Sequence, residues 1–141
     1  MRRTFPALLS ALAALVACAG CGGSGGGTPA AGTTGANQAT ILVTENCGKQ
    51  VVVARSAVPA GRTAMQALQQ VAKIDTASGG KFVTAIDGHA QDVKKKLAWL
   101  YYVNGKAAQK GASEVKLRPG DVEWWDLHNY TKKCTAPAMA K

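Results

Sequence analysis

The pattern of apolar and polar positions changes character twice along this chain. Residues 7–17 (ALLSALAALVA) are almost wholly apolar, and residues 22–36 (GGSGGGTPAAGTTGA) carry neither a charge nor a large apolar side chain. From Gln38 onwards short apolar runs alternate with clusters of Gly, Asn, Asp and Pro, the layout of strands joined by turns. Residues 39–44 (ATILVT) predict a strand, Glu45-Asn46-Cys47-Gly48 a turn, and residues 49–56 (KQVVVARS) a second strand completing a hairpin. Thr63-Ala64-Met65-Gln66 has the form of a capping box. Met65, Leu68, Val71 and Ala72 recur behind it at helical spacing and predict a helix ending near Lys73, with one apolar stripe for a sheet. Residues 75–81 read as a polar connection, residues 82–86 (FVTAI) as a short strand closed by Asp87-Gly88, and residues 89–96 as a loop. Residues 98–103 (AWLYYV) predict a strand that turns at Asn104-Gly105, the strongest hairpin signal in the chain. Residues 114–117 are short and extended, Arg118-Pro119-Gly120-Asp121 is a turn, and residues 122–128 form the last strand.

One helix among many strands is an α+β pattern. A β-grasp-like roll is its simplest solution: a mixed sheet with one main helix packed on one face, the first and last strands lying parallel in the middle. That arrangement places Cys47, at the end of the first strand, beside the end of the last strand near Tyr130. Cys134 follows four residues later. Cys47 and Cys134 are the two cysteines outside the leader, and an even pair in an exported protein reads as a disulfide, worth about 2–4 kcal/mol.

The leader sets the compartment. Arg2 and Arg3 precede an apolar run too short to span a bilayer. Leu15-Val16-Ala17-Cys18 fits a lipobox, and Cys18-Ala19-Gly20-Cys21 is a second candidate, so acylation is expected at Cys18 or Cys21. The expected organisation is a lipoprotein signal peptide over 1–21, a disordered Gly/Ser/Thr/Ala tether over 22–37, a folded domain over 38–134 and a disordered tail over 135–141. The protein is then expected on the extracytoplasmic face of a bacterial envelope, held to the membrane by its lipid. The chain carries 17 Lys and Arg, two of them in the leader, against 8 acidic residues, for a net charge of +9. These are scattered, the densest cluster being Lys94-Lys95-Lys96, so nucleic acid is not an expected partner. No nucleophile elbow, phosphate loop, carboxylate pair or zinc spacing stands out, which argues against an enzyme and against a metal centre.

Four blocks carry a resemblance: Thr63 to Leu68 (TAMQAL), Phe82 to Gly88 (FVTAIDG), Trp99 to Gly105 (WLYYVNG) and Leu117 to Trp125 (LRPGDVEWW). Together they resemble the transcobalamin-like C-terminal domain, a bacterial and animal family with a β-grasp-like fold. The likeness runs over about residues 39–130, and its Trp99-to-Trp125 part is the specific one. In transcobalamin and intrinsic factor this domain forms one wall of the cobalamin site and a helical barrel forms the other. The resemblance therefore implies a cobalamin-type ligand, with no cofactor required, and a helical-barrel partner or uptake transporter supplying what this chain lacks.

The aromatic strands are where such a ligand would dock. Within residues 98–103, Trp99, Tyr101 and Val103 share one face, and Leu100 and Tyr102 the other. Within the last strand, Val122, Trp124, Asp126 and His128 share one face, and Glu123, Trp125 and Leu127 the other. With one helix, one sheet face is left without an obvious cover, and aromatic side chains there would be a recognition surface. Leu100 and Leu127 look more core-like than Asp126 and His128. The expectation is therefore that Trp99, Tyr101 and Trp124 lie on the open face beside His128, a group able to ligate a corrinoid cobalt, with Tyr102 and Trp125 as further candidates. The competing expectation is that loops fold over this face and bury it. Without a small ligand, the same surface would serve an envelope protein–protein interaction.

Overall fold

The apolar run after the tether forms β1 (Gln38–Glu45), which buries Ala39, Ile41 and Val43 on one face and Leu42 and Thr44 on the other. Burial on both faces is why this strand reads as a continuous apolar run. The computed structural model describes residues 35–137; the leader with Cys18 and Cys21, the tether up to residue 34, and residues 138–141 lie outside the described residues. Asn46, Cys47 and Gly48 take left-handed backbone angles (φ 55°, 60° and 81°) and turn the chain into β2 (Gln50–Pro59), antiparallel to β1.

The helix α1 (Ala64–Val71) starts as its capping box dictates. The Thr63 hydroxyl accepts from the Gln66 amide at 3.2 Å, and the Gln66 side chain accepts from Thr63 N at 3.1 Å. Its buried residues are Ala64, Met65, Ala67 and Leu68, with Val71 and Ala72 partly buried at the end. Next come β3 (Ile74–Ala77), β4 (Phe82–Ile86) and β5 (His89–Ala90), which form a small antiparallel sheet in the order β3-β4-β5. This corrects the reading of 75–81 as connection and of 89–96 as loop throughout. Asp75, Thr76 and Ala77 are all exposed, so β3 shows no apolar alternation to betray it.

β6 (Leu97–Val103) and β7 (Lys106–Ala107) meet at the predicted Asn104-Gly105 turn. β8 (Val122–Asn129) lies between β1, to which it is parallel, and β6, to which it is antiparallel. The main sheet has the order β2-β1-β8-β6-β7, the α+β arrangement expected, with the first and last strands adjacent. One face packs on α1 through Ile41, Val43, Leu68, Trp99, Trp125 and Leu127. The other carries Leu42, Tyr102 and Trp124.

Cys47 and Cys134 are bridged, with Cα atoms 5.2 Å apart. Beyond β8 the chain folds back over the second face. Cys134 and Ala136 pack on the Leu42–Tyr102–Trp124 cluster. Pro137 lies against Gly48, where a Cβ would come within 2.8 Å of its ring. Packing among the described residues thus reaches Pro137.

Candidate functional site

Register decides which aromatic residues meet. β6 and β8 pair Trp99 with Leu127, Tyr101 with Trp125 and Tyr102 with Trp124, and directly paired residues share a face. Trp99, Tyr101 and Trp125 therefore project to the helix side, and Tyr102, Trp124 and His128 to the other. This corrects the grouping of Trp99 and Tyr101 with Trp124 and His128. Alternation holds within each strand; the pairing between strands, which alternation does not contain, sets the two patterns against each other. The expected open face is also corrected, because the tail covers it. Trp124 is 0 % exposed and Trp125 3 %, so the adjacent tryptophans anchor two separate clusters on opposite sides of one sheet.

On the helix side a cleft of about 370 Å³ opens between β6, the start of β4 and residues 107–112. Its lining takes in Trp99, Tyr101, Tyr102 and Trp125, four of the six candidate residues, and Phe82. The rings of Tyr101 and Trp125 stack with centroids 4.9 Å apart and planes 21° from parallel. Phe82, 64 % exposed, stands at the edge, and the exposed Lys81 and Lys110 bring positive charge. The Tyr101 hydroxyl donates to the Lys110 carbonyl at 2.5 Å and so holds the 107–112 segment. Burial, then the charges of Glu123 and Glu114, push the Tyr101 phenol up to about 12, which keeps it a neutral donor. Trp99 Nε1 donates to the His89 carbonyl at 2.9 Å. Lys81, Phe82 and Lys110 had no sequence signal: an exposed Phe and two lysines are ordinary surface until the fold gathers them.

Glu123 continues the row of Trp125 on β8, between Ile41 of β1 and Val103 of β6, and is 0 % exposed. Trp125 Nε1 donates to its Oε1 at 2.5 Å, while Oε2 has no hydrogen-bond partner among the described residues. Burial pushes this carboxyl up to about 8, against the opposing effect of the Trp125 hydrogen bond, so it is held as the neutral acid near pH 7.

The opposite face holds a second buried carboxyl, Asp126. Oδ1 accepts from the Thr44 hydroxyl (2.5 Å) and Gly48 N (3.0 Å), and Oδ2 from Cys47 N (2.9 Å). His128 Nδ1 lies 2.7 Å from the same Oδ2. Trp124 Nε1 donates to Thr44 Oγ1 at 2.6 Å. His128 is 3 % exposed, so it is not presented to a ligand as the open-face reading required. Tyr102, also buried here, has its phenol raised by burial and by Asp126. His89 is exposed, with Nδ1 2.8 Å from Glu45 Oε1. Among the described residues no helix is long and apolar enough to cross a membrane.

Residues 61–129, from just before α1 to the end of β8, match the family described as "Domain of unknown function (DUF4430)". No curated protein matches the sequence. Among solved structures, a "putative metal binding protein" from Ruminococcus gnavus ATCC 29149 is similar at a TM-score of 0.52 and 14 % identity, over 66 % of this chain and 97 % of that one. Haptocorrin, solved in complex with Cbi, is similar at a TM-score of 0.52 and 13 % identity, over 67 % of this chain and 26 % of its own. This chain thus spans about a quarter of haptocorrin, and at these identities the likeness is one of fold. The DUF4430 match over residues 61–129 and a fold shared with haptocorrin are consistent with the transcobalamin-like domain that the sequence resembles.

Proposed function

We propose that this is a non-catalytic, lipid-anchored ligand-binding domain on the extracytoplasmic face of a bacterial envelope, whose aromatic cleft is one wall of a corrinoid site. The cleft carries the reading: stacked Tyr101 and Trp125 beside Trp99, an exposed Phe82 at the edge, and lysines nearby. Flat apolar surface with a few polar groups suits a flat ligand with polar side chains. A volume of about 370 Å³ takes one edge of a corrin ring. The rest of the ligand then needs a second wall, from a helical-barrel partner or an uptake transporter. Haptocorrin's complex with Cbi supports this ligand class. The leader supports the anchor through Cys18 or Cys21.

Titration of the protein with cobalamin and cobinamide, followed by tryptophan fluorescence corrected for ligand absorbance, tests the reading. Saturable quenching is expected, weakened about tenfold by Phe82→Ala, the scale of an interface anchor. Absence of quenching by either corrinoid would sink the claim that this wall binds on its own. A second reading, a protein-interaction module, is favoured by β2, an edge strand of the main sheet with Val51 61 % exposed. A lysine at position 51 that abolishes capture of an envelope partner while leaving corrinoid quenching intact would separate the two.

A further inference from the structure

Across the sheet from the cleft, three elements bring metal-ligating atoms together. The β1–β2 turn supplies Cys47, β8 supplies Asp126 and the returning tail supplies Cys134, with one ligand atom of each within 4.8 Å of the others. Asp126 is completely buried, and its carboxylate is oriented by Thr44, two backbone amides and His128. His128 meets Asp126 through Nδ1, and its Nε2 is buried without a partner among the described residues. In the bridged state the two sulfurs are spent on each other. As thiolates they would be ligands, and two thiolates with one carboxylate suit Zn²⁺, leaving one tetrahedral position for water.

We propose that the Cys47–Cys134 bridge is a redox-gated zinc site: the reduced chain binds one Zn²⁺ through the two sulfurs and the Asp126 carboxylate, and the oxidised chain does not. A dithiol reductant gives two electrons and two protons and becomes a disulfide. The Sγ–Sγ bond breaks, each sulfur takes a proton, and Zn²⁺ displaces both. His128 is a positioning residue, holding one oxygen of Asp126 while the carboxylate ligates, as the outer partners of metal-bound carboxylates do. The ion takes over the bridge's mechanical role and keeps the tail tied over Trp124. This inference does not depend on the corrinoid reading.

The test uses the full chain with Cys18→Ser and Cys21→Ser, so that Cys47 and Cys134 are its only cysteines. It is reduced with a phosphine, then titrated with Zn²⁺ against a chromophoric chelator, and with Co²⁺ for the thiolate charge-transfer band. One ion per reduced chain and none per oxidised chain are expected. Asp126→Asn should lower zinc affinity about 10- to 100-fold, and His128→Leu about tenfold, with both thiols still titratable. No binding by the reduced parent overturns the proposal. So does parent-level affinity in Asp126→Asn, since a disordered thiol pair would bind alike in both. If circular dichroism shows Asp126→Asn unfolded, His128→Leu decides, and parent-level affinity there overturns it.

Discussion

Glu123 and Asp126 stand three residues apart on one strand, both 0 % exposed, on opposite faces of the sheet. Asp126 is met by four groups, and its face is closed by a covalently tied tail. Glu123 is met by one indole N–H and keeps one oxygen without a partner, on the face that carries the cleft. A buried carboxyl that meets few donors, as Glu123 does, is pushed towards its neutral form by the loss of water. The sheet therefore has one side built for order, where a polar network holds the strained Asn46-Cys47-Gly48 turn. Its other side is apolar and partly open, the side on which a ligand can be received.

The largest effect is expected from breaking the compensated side. Asp126→Ala leaves two backbone amides, Thr44 and His128 without their acceptor and should cost about 3–5 kcal/mol, the scale for breaking a buried hydrogen-bond network. Urea unfolding of the oxidised protein would show it, and a loss below about 1 kcal/mol would mean that water replaces the carboxylate. Next is the bridge. Cys134→Ser, measured with a metal chelator present, should cost about 2–4 kcal/mol and admit a fluorescence quencher to Trp124. A lower midpoint with Trp124 still protected would show that the tail packs without its tie.

Glu123 sharpens the contrast through pH. Its folded-state carboxyl is raised from 4.5 to about 8, so the fold holds a proton that the unfolded chain releases between these values. Its contribution is fully present below pH 4.5 and is lost as pH rises to 8, by at most about 1.4 kcal/mol per unit. Glu123→Gln should remove this slope; parallel stability curves for the two proteins across pH 4.5–8 would contradict it. The smallest effect on stability is expected at the cleft's edge. Phe82→Ala should change stability by less than about 0.5 kcal/mol, as exposed substitutions do, yet weaken corrinoid binding. A clear fall in its melting temperature would place Phe82 in the core.

Much of the domain was legible from local chemistry. The Thr63–Gln66 capping box, the Asn104-Gly105 turn and the pairing of Cys47 with Cys134 each rest on a few neighbouring residues or a simple count. β3 was not legible, because an exposed polar strand has no periodic pattern to read. The site was partly legible. Trp99, Tyr101, Tyr102 and Trp125 are sequence candidates, but Lys81, Phe82 and Lys110 come from segments that the sequence gives no reason to join.

The sequence by itself determined the α+β class and most of the elements, because periodicity, capping and turn chemistry act within a few residues of each other, and the disulfide, because two cysteines stand outside the leader. The tertiary structure alone decided the register of β6 against β8, and with it which aromatic residues share a face. It also decided that the tail covers one side, and that the Glu123 and Asp126 carboxyls, equally buried, are left with one donor and with four. Those outcomes depend on contacts between residues distant in the chain, and strand alternation has the same period whichever partner lies opposite.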